Sequence, residues 1–479
     1  MIALTLAEIA AVTQGEVHGD PDVVVDAPAT LDSRAVEPGG LFVAIAGERV
    51  DGHDFAAAAA DSGAAAVLGT RATSAPTVVV ADATEALGRL ARHVLGRLPG
   101  VTVLALTGSQ GKTGTKDYLA AVLADAGPTV ATQGNHNNEL GVPLTVLRAT
   151  TDTAYLVVEM GARHRGNIAY LCEIAPPRVA AVLNVGTAHI GEFGSREAIA
   201  LTKGEIVEAL PPDGTAVLYA GDPVTREMAS RTRARVLTFG RSGAQGGDHG
   251  DVREEDAEVD EAARFSFRLT HGDDSAPVRL SMPGHHQVLN ACAAAAMALA
   301  VGVPLDAVAA SLTAARPDSR WRMEMTDRAD GVTVVNDAYN ANPDSMLAAL
   351  ETLKLMGEAG RRTVAVLGEM KELGERHGPE HRAVGRAAAR TGVDVLVVVG
   401  TTASGISEGT REGPEWDGEL VEAAGRDEAL AWLRNNVLPG DVVLVKASRG
   451  VALEHVAEGL LDAPDSPDST AATEGAATP

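Results

Sequence analysis

The stretch Leu104-Ala-Leu-Thr-Gly-Ser-Gln-Gly-Lys-Thr113 carries the most specific chemistry in this chain. Val101 to Leu106 are apolar and rich in β-branched residues, as a buried parallel strand should be. Thr107, Gly108, Ser109, Gln110 and Gly111 are small or turn-forming, and from Lys112 the chain reads as an amphipathic helix closed near Gly127. Strand, glycine loop and helix with Lys-Thr at its start bind a nucleoside triphosphate. Loop amides and the helix N-terminus hold phosphate, Lys112 neutralises β/γ charge, and the Thr113 hydroxyl can ligate Mg²⁺. The generic phosphate loop also has a glycine five residues before Gly111, where this chain has Leu106.

Other residues suit the same chemistry. Glu159 closes a strand-like run and offers a hard carboxylate oxygen for Mg²⁺ beside Thr113. Gly134-Asn-His-Asn-Asn138 packs three amides and an imidazole into one loop that opens a helix, a density suited to the polar groups of a sugar nucleotide. Asp337 follows another strand and can accept from ribose hydroxyls, while Asn340 and Asn342 add amides and Tyr339 a ring face. Lys446 and Arg449 in Val445-Lys-Ala-Ser-Arg-Gly450 can pair with phosphate or carboxylate. Ser33 and Arg34 could hold a phosphate or a uracil carbonyl, although alone they read as a capped turn with a surface arginine. His189 alone reads as a hydrogen-bonded loop residue, and Lys203 as an ordinary helix lysine.

These residues need a scaffold. At 479 residues the chain exceeds one typical core, so two to four domains are expected. Hydrophobic content of 45% with 22% charged residues is that of a globular chain, and 3% aromatics leave Ala, Val and Leu to build the cores. A formal charge of −25 argues against nucleic acid or an anionic membrane surface as partner. An anionic substrate then needs local cations. Two distant cysteines, Cys172 and Cys292, read as buried free thiols in a reducing compartment. No apolar run reaches about 18 residues, so no membrane insertion is expected and the location is cytoplasmic.

The expected fold class is α/β in three domains. Residues 1–98 form a small α/β unit of short strands and Ala-rich helices. Residues 99–315 form a central parallel-sheet domain around the phosphate loop, with strands at 101–106, 154–159, 179–184, 216–219 and 236–239. Its functional residues belong at the carboxyl ends of strands. Residues 316–461 form a Rossmann-like domain with strands at 332–336, 363–367, 394–399 and 442–446. The acidic run 248–261, with eight acids and one arginine, reads as a solvated excursion or hairpin. Residues 462–479 read as a disordered acidic tail.

Taken together, Thr107-Gly-Ser-Gln-Gly-Lys-Thr113, Glu159, His189, Lys203-Gly-Glu-Ile, Asn290 and Asp337 resemble, in content and order, the Mur ligases, ATP-dependent amide-forming enzymes of peptidoglycan precursor synthesis. The resemblance spans about residues 3 to 460. Three motifs specify a branch: Asn336-Asp-Ala-Tyr-Asn-Ala-Asn-Pro-Asp-Ser345, Gly134-Asn-x-Asn-Asn138 and Leu367-Gly-Glu-Met-Lys-Glu-Leu-Gly374. They look like those of the branch that joins D-alanyl-D-alanine to UDP-N-acetylmuramoyl-tripeptide. The resemblance implies a monomer with UDP-substrate, ATPase and mobile C-terminal domains, acting through an acyl phosphate. It also implies ATP and two Mg²⁺. Lys112 would hold phosphates, Thr113 and Glu159 one metal, and His189 the other with Lys203 as a carbamate. Asn290, Arg322 and Asp337 would surround adenine and ribose, and Ser33, Arg34, Asn137 and Asn138 the UDP-muramoyl moiety. Lys446 and Arg449 would face the reacting groups. Where the family has His-Asn ahead of Asn290, this chain has His286-Gln287, which implies a longer adenine contact.

The readings weighed against this one are a sister ligase acting on a shorter peptide, a folylpolyglutamate-type ligase, and a nucleotide-binding scaffold with a dead site. The last should have lost one of Lys112, Glu159, His189 or Lys203, and the chain keeps all four.

Overall fold

A computed structural model describes residues 1–47, 50–186, 190–242, 250–316, 319–412 and 416–462. Two compact units share the chain. One holds Met1–Glu258, Phe265–Ser281 and His286–Ser319; the other holds Val259–Arg264, Met282–His285 and the chain from Arg320 onward.

The first unit opens with helix Leu6–Thr13. Thr5 caps it, its hydroxyl accepting from the Glu8 amide while the Glu8 carboxylate reaches back to the Thr5 N–H. A five-stranded sheet follows, ordered Glu16–His18, Thr77–Val79, Ala66–Gly69, Leu41–Val43, Ala29–Thr30. Helix Ala83–Gly96, capped by Asp82, buries Leu87, Leu90 and Val94 in a core that runs on to Val103 and Leu156 of the central sheet and Leu171 of helix Asn167–Ile174. The N-terminal layer is therefore welded to the central domain by continuous apolar packing.

The central sheet has nine strands. In order they are Asp274–Pro283, Arg264–His271, Val252–Val259, Arg235–Arg241, Thr215–Tyr219, Val179–Val182, Thr102–Thr107, Tyr155–Glu159 and Thr129–Ala131. From Arg235–Arg241 to Thr129–Ala131 every pairing is parallel. Strand order reverses around Thr102–Thr107, which places the phosphate loop at the switch point. All five strands expected from sequence are present, with ends moved by up to two residues. Within the described part of the acidic run, Val252–Val259 is a strand, paired parallel to Arg235–Arg241. Strand Arg264–His271, next in the chain, lies beside it, as the hairpin reading expected; Val252 and Glu254 are buried, while residues 256–259 are exposed, as the solvated reading expected. Burial raises the pKa of the Glu254 carboxyl, and Arg241 at 3.3 Å opposes that.

The second unit is a six-stranded sheet ordered Glu324–Asp327, Thr333–Asn336, Val442–Lys446, Thr363–Leu367, Val395–Val399, Glu419–Ala423. All pairs are parallel except the first. The two edge strands were not visible in the sequence because Glu-Met-Thr-Asp and Glu-Leu-Val-Glu-Ala lack the apolar run of the buried four. Helices His377–Thr391 and Ser404–Glu412 cross here at glycines. A Cβ on Gly385 would lie 1.9 Å from the Ile406 carbonyl oxygen, and one on Gly409 2.0 Å from that of Arg382. Backbone cannot yield as a side chain does. Gly409→Ala is expected to destabilise this unit by about 1–3 kcal/mol, read as a lower urea midpoint at unchanged slope.

Cys172 and Cys292 are both free and buried, as expected. Burial pushes the Cys172 thiol up to about 12 and raises that of Cys292 further. Among the described residues no helix is long and apolar enough to cross a membrane. Residues 463–479 of the expected tail lie outside the described residues.

Candidate active site

Leu106 explains the shortened glycine pattern. It is fully buried and pairs with Glu159 on one side and Ala181 on the other, so the strand runs on to Thr107 and the loop begins at Gly108. Two glycines are then obligatory. A Cβ on Gly108 would meet the Leu183 side chain at 2.9 Å. Gly111 sits at φ +76°, and its Cβ would meet the Asn290 amide oxygen at 2.4 Å. The Lys112 ammonium folds back to the Gly108 carbonyl at 2.8 Å, which holds the charge over the loop.

Asn184, not singled out from the sequence, shapes this loop. Its side-chain oxygen accepts from the Ser109 and Gln110 amides, both at 3.0 Å, and its amide donates to the Gln110 carbonyl. The Ser109 hydroxyl accepts from Gly186. Two amides expected to face phosphate, those of Ser109 and Gln110, are thus bonded to Asn184. The only sequence signal was an Asn closing a strand next to the phosphate-loop strand.

Glu159 is 1% exposed at the end of its strand. One carboxylate oxygen accepts from the Thr113 hydroxyl at 3.1 Å and the other from the Asn137 amide at 2.7 Å. Asn137 thereby links the Asn-rich loop to the phosphate loop, and Gly161 makes room, since its Cβ would lie 2.6 Å from the Asn137 oxygen. Asn138 has a different position. Its oxygen accepts from the Leu140 and Gly141 amides, at the start of the short helix Gly141–Val146.

Lys203 lies on helix Arg196–Glu208 and is 5% exposed. Burial drives its pKa well below the usual lysine value, and the Lys112 charge pushes the same way. Its turn is fixed from outside. Arg231 lies against Gly204 and donates to the carbonyls of Ala200 and Leu201 and to Glu208. His189 lies outside the described residues. Asn290 is buried, donating to Gln287 at 3.0 Å and accepting from Thr115 at 3.4 Å, so Gln287 serves to orient it. Ser33 and Arg34 are elsewhere in this unit. Ser33 is buried, while the 88% exposed Arg34 forks onto Asp32 and holds that carboxyl down to about 2. No hydrogen bond among the described residues joins either of them to the phosphate loop.

In the second unit the cations are already paired. Lys446 is buried, 2.5 Å from Asp337 and 3.0 Å from the Asn340 carbonyl. Arg449 pairs with Glu454 and lies 4.3 Å from the Trp321 ring centre. Arg322 stacks 4.2 Å from the centre of the Tyr339 ring. Trp321 and Met323 take left-handed backbone (φ +58° and +50°). Three bonds hold that strained turn: Trp321 N–H to Glu324, Met323 N–H to Asp337, and Tyr339 N–H to the Trp321 carbonyl.

A phosphate loop at the switch point of a parallel sheet, a buried Thr–Glu pair beside it, and a separate Rossmann-like unit define a nucleotide-dependent α/β enzyme of three domains. Family models described as "Mur ligase family, catalytic domain", "Mur ligase middle domain" and "Mur ligase, glutamate ligase domain" match residues 29–95, 106–298 and 321–449. The chain belongs to the Mur ligase family. It is 48% identical over 505 aligned residues to UDP-N-acetylmuramoyl-tripeptide–D-alanyl-D-alanine ligase of Mycobacterium tuberculosis, covering 96% of this chain and 98% of that protein. Among solved structures it resembles MurF of Acinetobacter baumannii, with TM-score 0.85, 34% identity, and 96% and 99% of the two chains covered. It also resembles MurF ligase of Thermotoga maritima in complex with ADP, with TM-score 0.77, 34% identity, and 91% and 97% covered.

Proposed function

We infer that this protein is the ATP-dependent ligase that joins D-alanyl-D-alanine to the terminal carboxylate of UDP-N-acetylmuramoyl-tripeptide. The products are UDP-N-acetylmuramoyl-pentapeptide, ADP and phosphate, in peptidoglycan precursor synthesis. The carrying observation is Glu159, held between the phosphate-loop Thr113 and the Asn-rich loop through Asn137. Near full-length likeness to ligases of that name supports it. The reading includes a cytoplasmic monomer with functional domains at residues 1–98, 99–315 and 316–461.

A carboxylate is a poor acyl donor until one oxygen becomes a good leaving group. Its attack on the γ-phosphorus, with the bond to ADP breaking, makes an acyl phosphate. The amine of the dipeptide then attacks that carbonyl, the C–N bond forms, and phosphate leaves. Two anions meet in the first step, so charge neutralisation is the main task. Lys112 supplies one positive charge over the loop.

The buried hydroxyl and carboxylate of Thr113 and Glu159, 3.1 Å apart, are hard oxygen donors that fit Mg²⁺. A buried lysine with a strongly lowered pKa fits carbamylation, because only the neutral amine reacts with CO₂. In this proposal Lys203 as carbamate and His189 hold a second Mg²⁺. Mg²⁺ held by these residues would supply neutralisation of phosphate charge. Asn137 fixes the Glu159 rotamer and Asn184 fixes the loop. The nucleotide-contact roles of Asn290, Arg322 and Asp337 belong to the same proposal, as do the substrate-contact roles of Ser33, Arg34, Asn137, Asn138, Lys446 and Arg449.

The test is phosphate release with ATP, Mg²⁺, UDP-muramoyl-tripeptide and D-alanyl-D-alanine, omitting each in turn. Turnover requiring all four, with a pentapeptide product by mass, is expected. Release that instead requires a single amino acid in place of the dipeptide would reassign the acceptor.

A further inference from the structure

The Leu367-Gly-Glu-Met-Lys-Glu-Leu-Gly374 motif has no part in the mechanism so far. It leaves the carboxyl end of strand Thr363–Leu367, beside Lys446 of the neighbouring strand. Its backbone is locked to two other strand-end loops. Gly368 N–H donates to the Lys446 carbonyl, Ser448 N–H to the Glu369 carbonyl, and Lys371 N–H to the Ser448 hydroxyl. That hydroxyl in turn reaches the Ala341 carbonyl at 3.4 Å. The Met370 N–H donates to His381 Nε2 at 2.9 Å, while His381 Nδ1 lies 2.7 Å from the His377 carbonyl. His381 is therefore the neutral Nδ1–H tautomer, and burial favours that form.

Two charged side chains stand on this rigid platform. The Glu369 carboxylate, 20% exposed, lies 3.4 Å from His377 Nε2, and His377 is 37% exposed. His377 in turn packs against His381, with ring centres 4.1 Å apart. The exposed Lys371 lies over Gly450, its ammonium 2.7 Å from where a Cβ would stand. An anion and a cation two residues apart, on backbone held at strand ends, complement a zwitterion.

We propose that Glu369 and Lys371 form the acceptor site, with Glu369 receiving the dipeptide ammonium and Lys371 its terminal carboxylate. This rests on the function proposed above. The acceptor enters as an ammonium, and its nitrogen cannot attack until one proton leaves. Glu369 takes that proton as the nitrogen lone pair forms the C–N bond to the acyl phosphate carbonyl. The carbonyl–oxygen bond then breaks and phosphate departs with the electron pair. The nitrogen's second proton passes to the departing phosphate, and His377 returns the proton on Glu369 to solvent.

Hydroxylamine separates the two halves of the reaction. It is largely uncharged at neutral pH and has no carboxylate, so it intercepts the acyl phosphate without needing either residue. Glu369→Gln is expected to lower dipeptide ligation by about 100-fold or more while hydroxamate formation stays within about twofold of the unsubstituted protein. Lys371→Met is expected to raise the KM for the dipeptide at unchanged KM for ATP. It should also abolish the preference for D-alanyl-D-alanine over its C-terminal amide. Gly450→Ala displaces only the end of a flexible side chain, so it provides a well-folded version of the Lys371 test with the same direction of effect. Equal loss of dipeptide and hydroxylamine reactions in Glu369→Gln, unchanged dipeptide ligation, or an intact acid-over-amide preference in Lys371→Met would overturn the assignment. If the unsubstituted protein forms no hydroxamate from UDP-muramoyl-tripeptide and ATP, the proposed function fails instead.

Discussion

Lys203→Ala is expected to lower turnover by about 10²–10³-fold, and short carboxylates such as formate or acetate are expected to restore part of it. In a lysine 5% exposed, desolvation and the Lys112 charge both disfavour the ammonium and favour the neutral amine relative to a surface lysine. A neutral amine cannot neutralise phosphate, and an ammonium would repel a metal ion. Its carbamate is an anionic oxygen ligand. The alanine variant leaves space where that group stood, and a free carboxylate can occupy it. Rescue that scales with carboxylate concentration supports the carbamate, as does a mass gain of one CO₂ on intact protein under gentle ionisation. Loss without rescue would mean that Lys203 acts as an amine or through packing. Retained activity would remove it from the site.

Legibility from sequence followed the locality of the signal. The strand–loop–helix around Lys112 was readable because each piece is contiguous: a β-branched run, small turn residues, then helix periodicity. Glu159 was readable because it ends an apolar strand. Asn184 and Arg231 were not, since each acts across 74 residues or about 30 residues of chain through contacts that only the folded sheet creates. The place of Asn138 was not readable either: its side-chain oxygen accepts from the Leu140 and Gly141 amides at the start of helix Gly141–Val146, a contact set by the folded loop. The edge strands Glu324–Asp327 and Glu419–Ala423 escaped because a strand with one partner needs no apolar run. The acidic strand Val252–Val259 shows how far composition reaches: residues 256–259 are exposed as their charge suggests, while Val252 and Glu254 are buried where the strand pairs with Arg235–Arg241.

Asp337→Ala is expected to destabilise the C-terminal unit by about 3–5 kcal/mol, a larger effect than its partner's removal. The Lys446 side chain is 3% exposed and that of Asp337 12%, with nitrogen and oxygen 2.5 Å apart. Without Asp337 the ammonium keeps only the Asn340 carbonyl and no counter-charge. Lys446→Met leaves the carboxylate with the Met323 N–H and a route to water, so about 1–3 kcal/mol is expected. The double variant Asp337→Ala/Lys446→Met should recover stability relative to Asp337→Ala alone. Urea unfolding of the four proteins measures that coupling, and a double variant less stable than either single one would mean that the two residues act independently. The same geometry leaves Asp337 capacity for a ligand. A carboxylate has about four acceptor positions, and Met323 and Lys446 each take one. Asp337→Asn keeps an oxygen for Met323 but loses the charge and half of the acceptor sites. Its KM for ATP should therefore rise about tenfold at unchanged KM for the dipeptide, by the loss of one charged hydrogen bond. An unchanged KM for ATP would leave Asp337 as the counter-ion of Lys446 and nothing more.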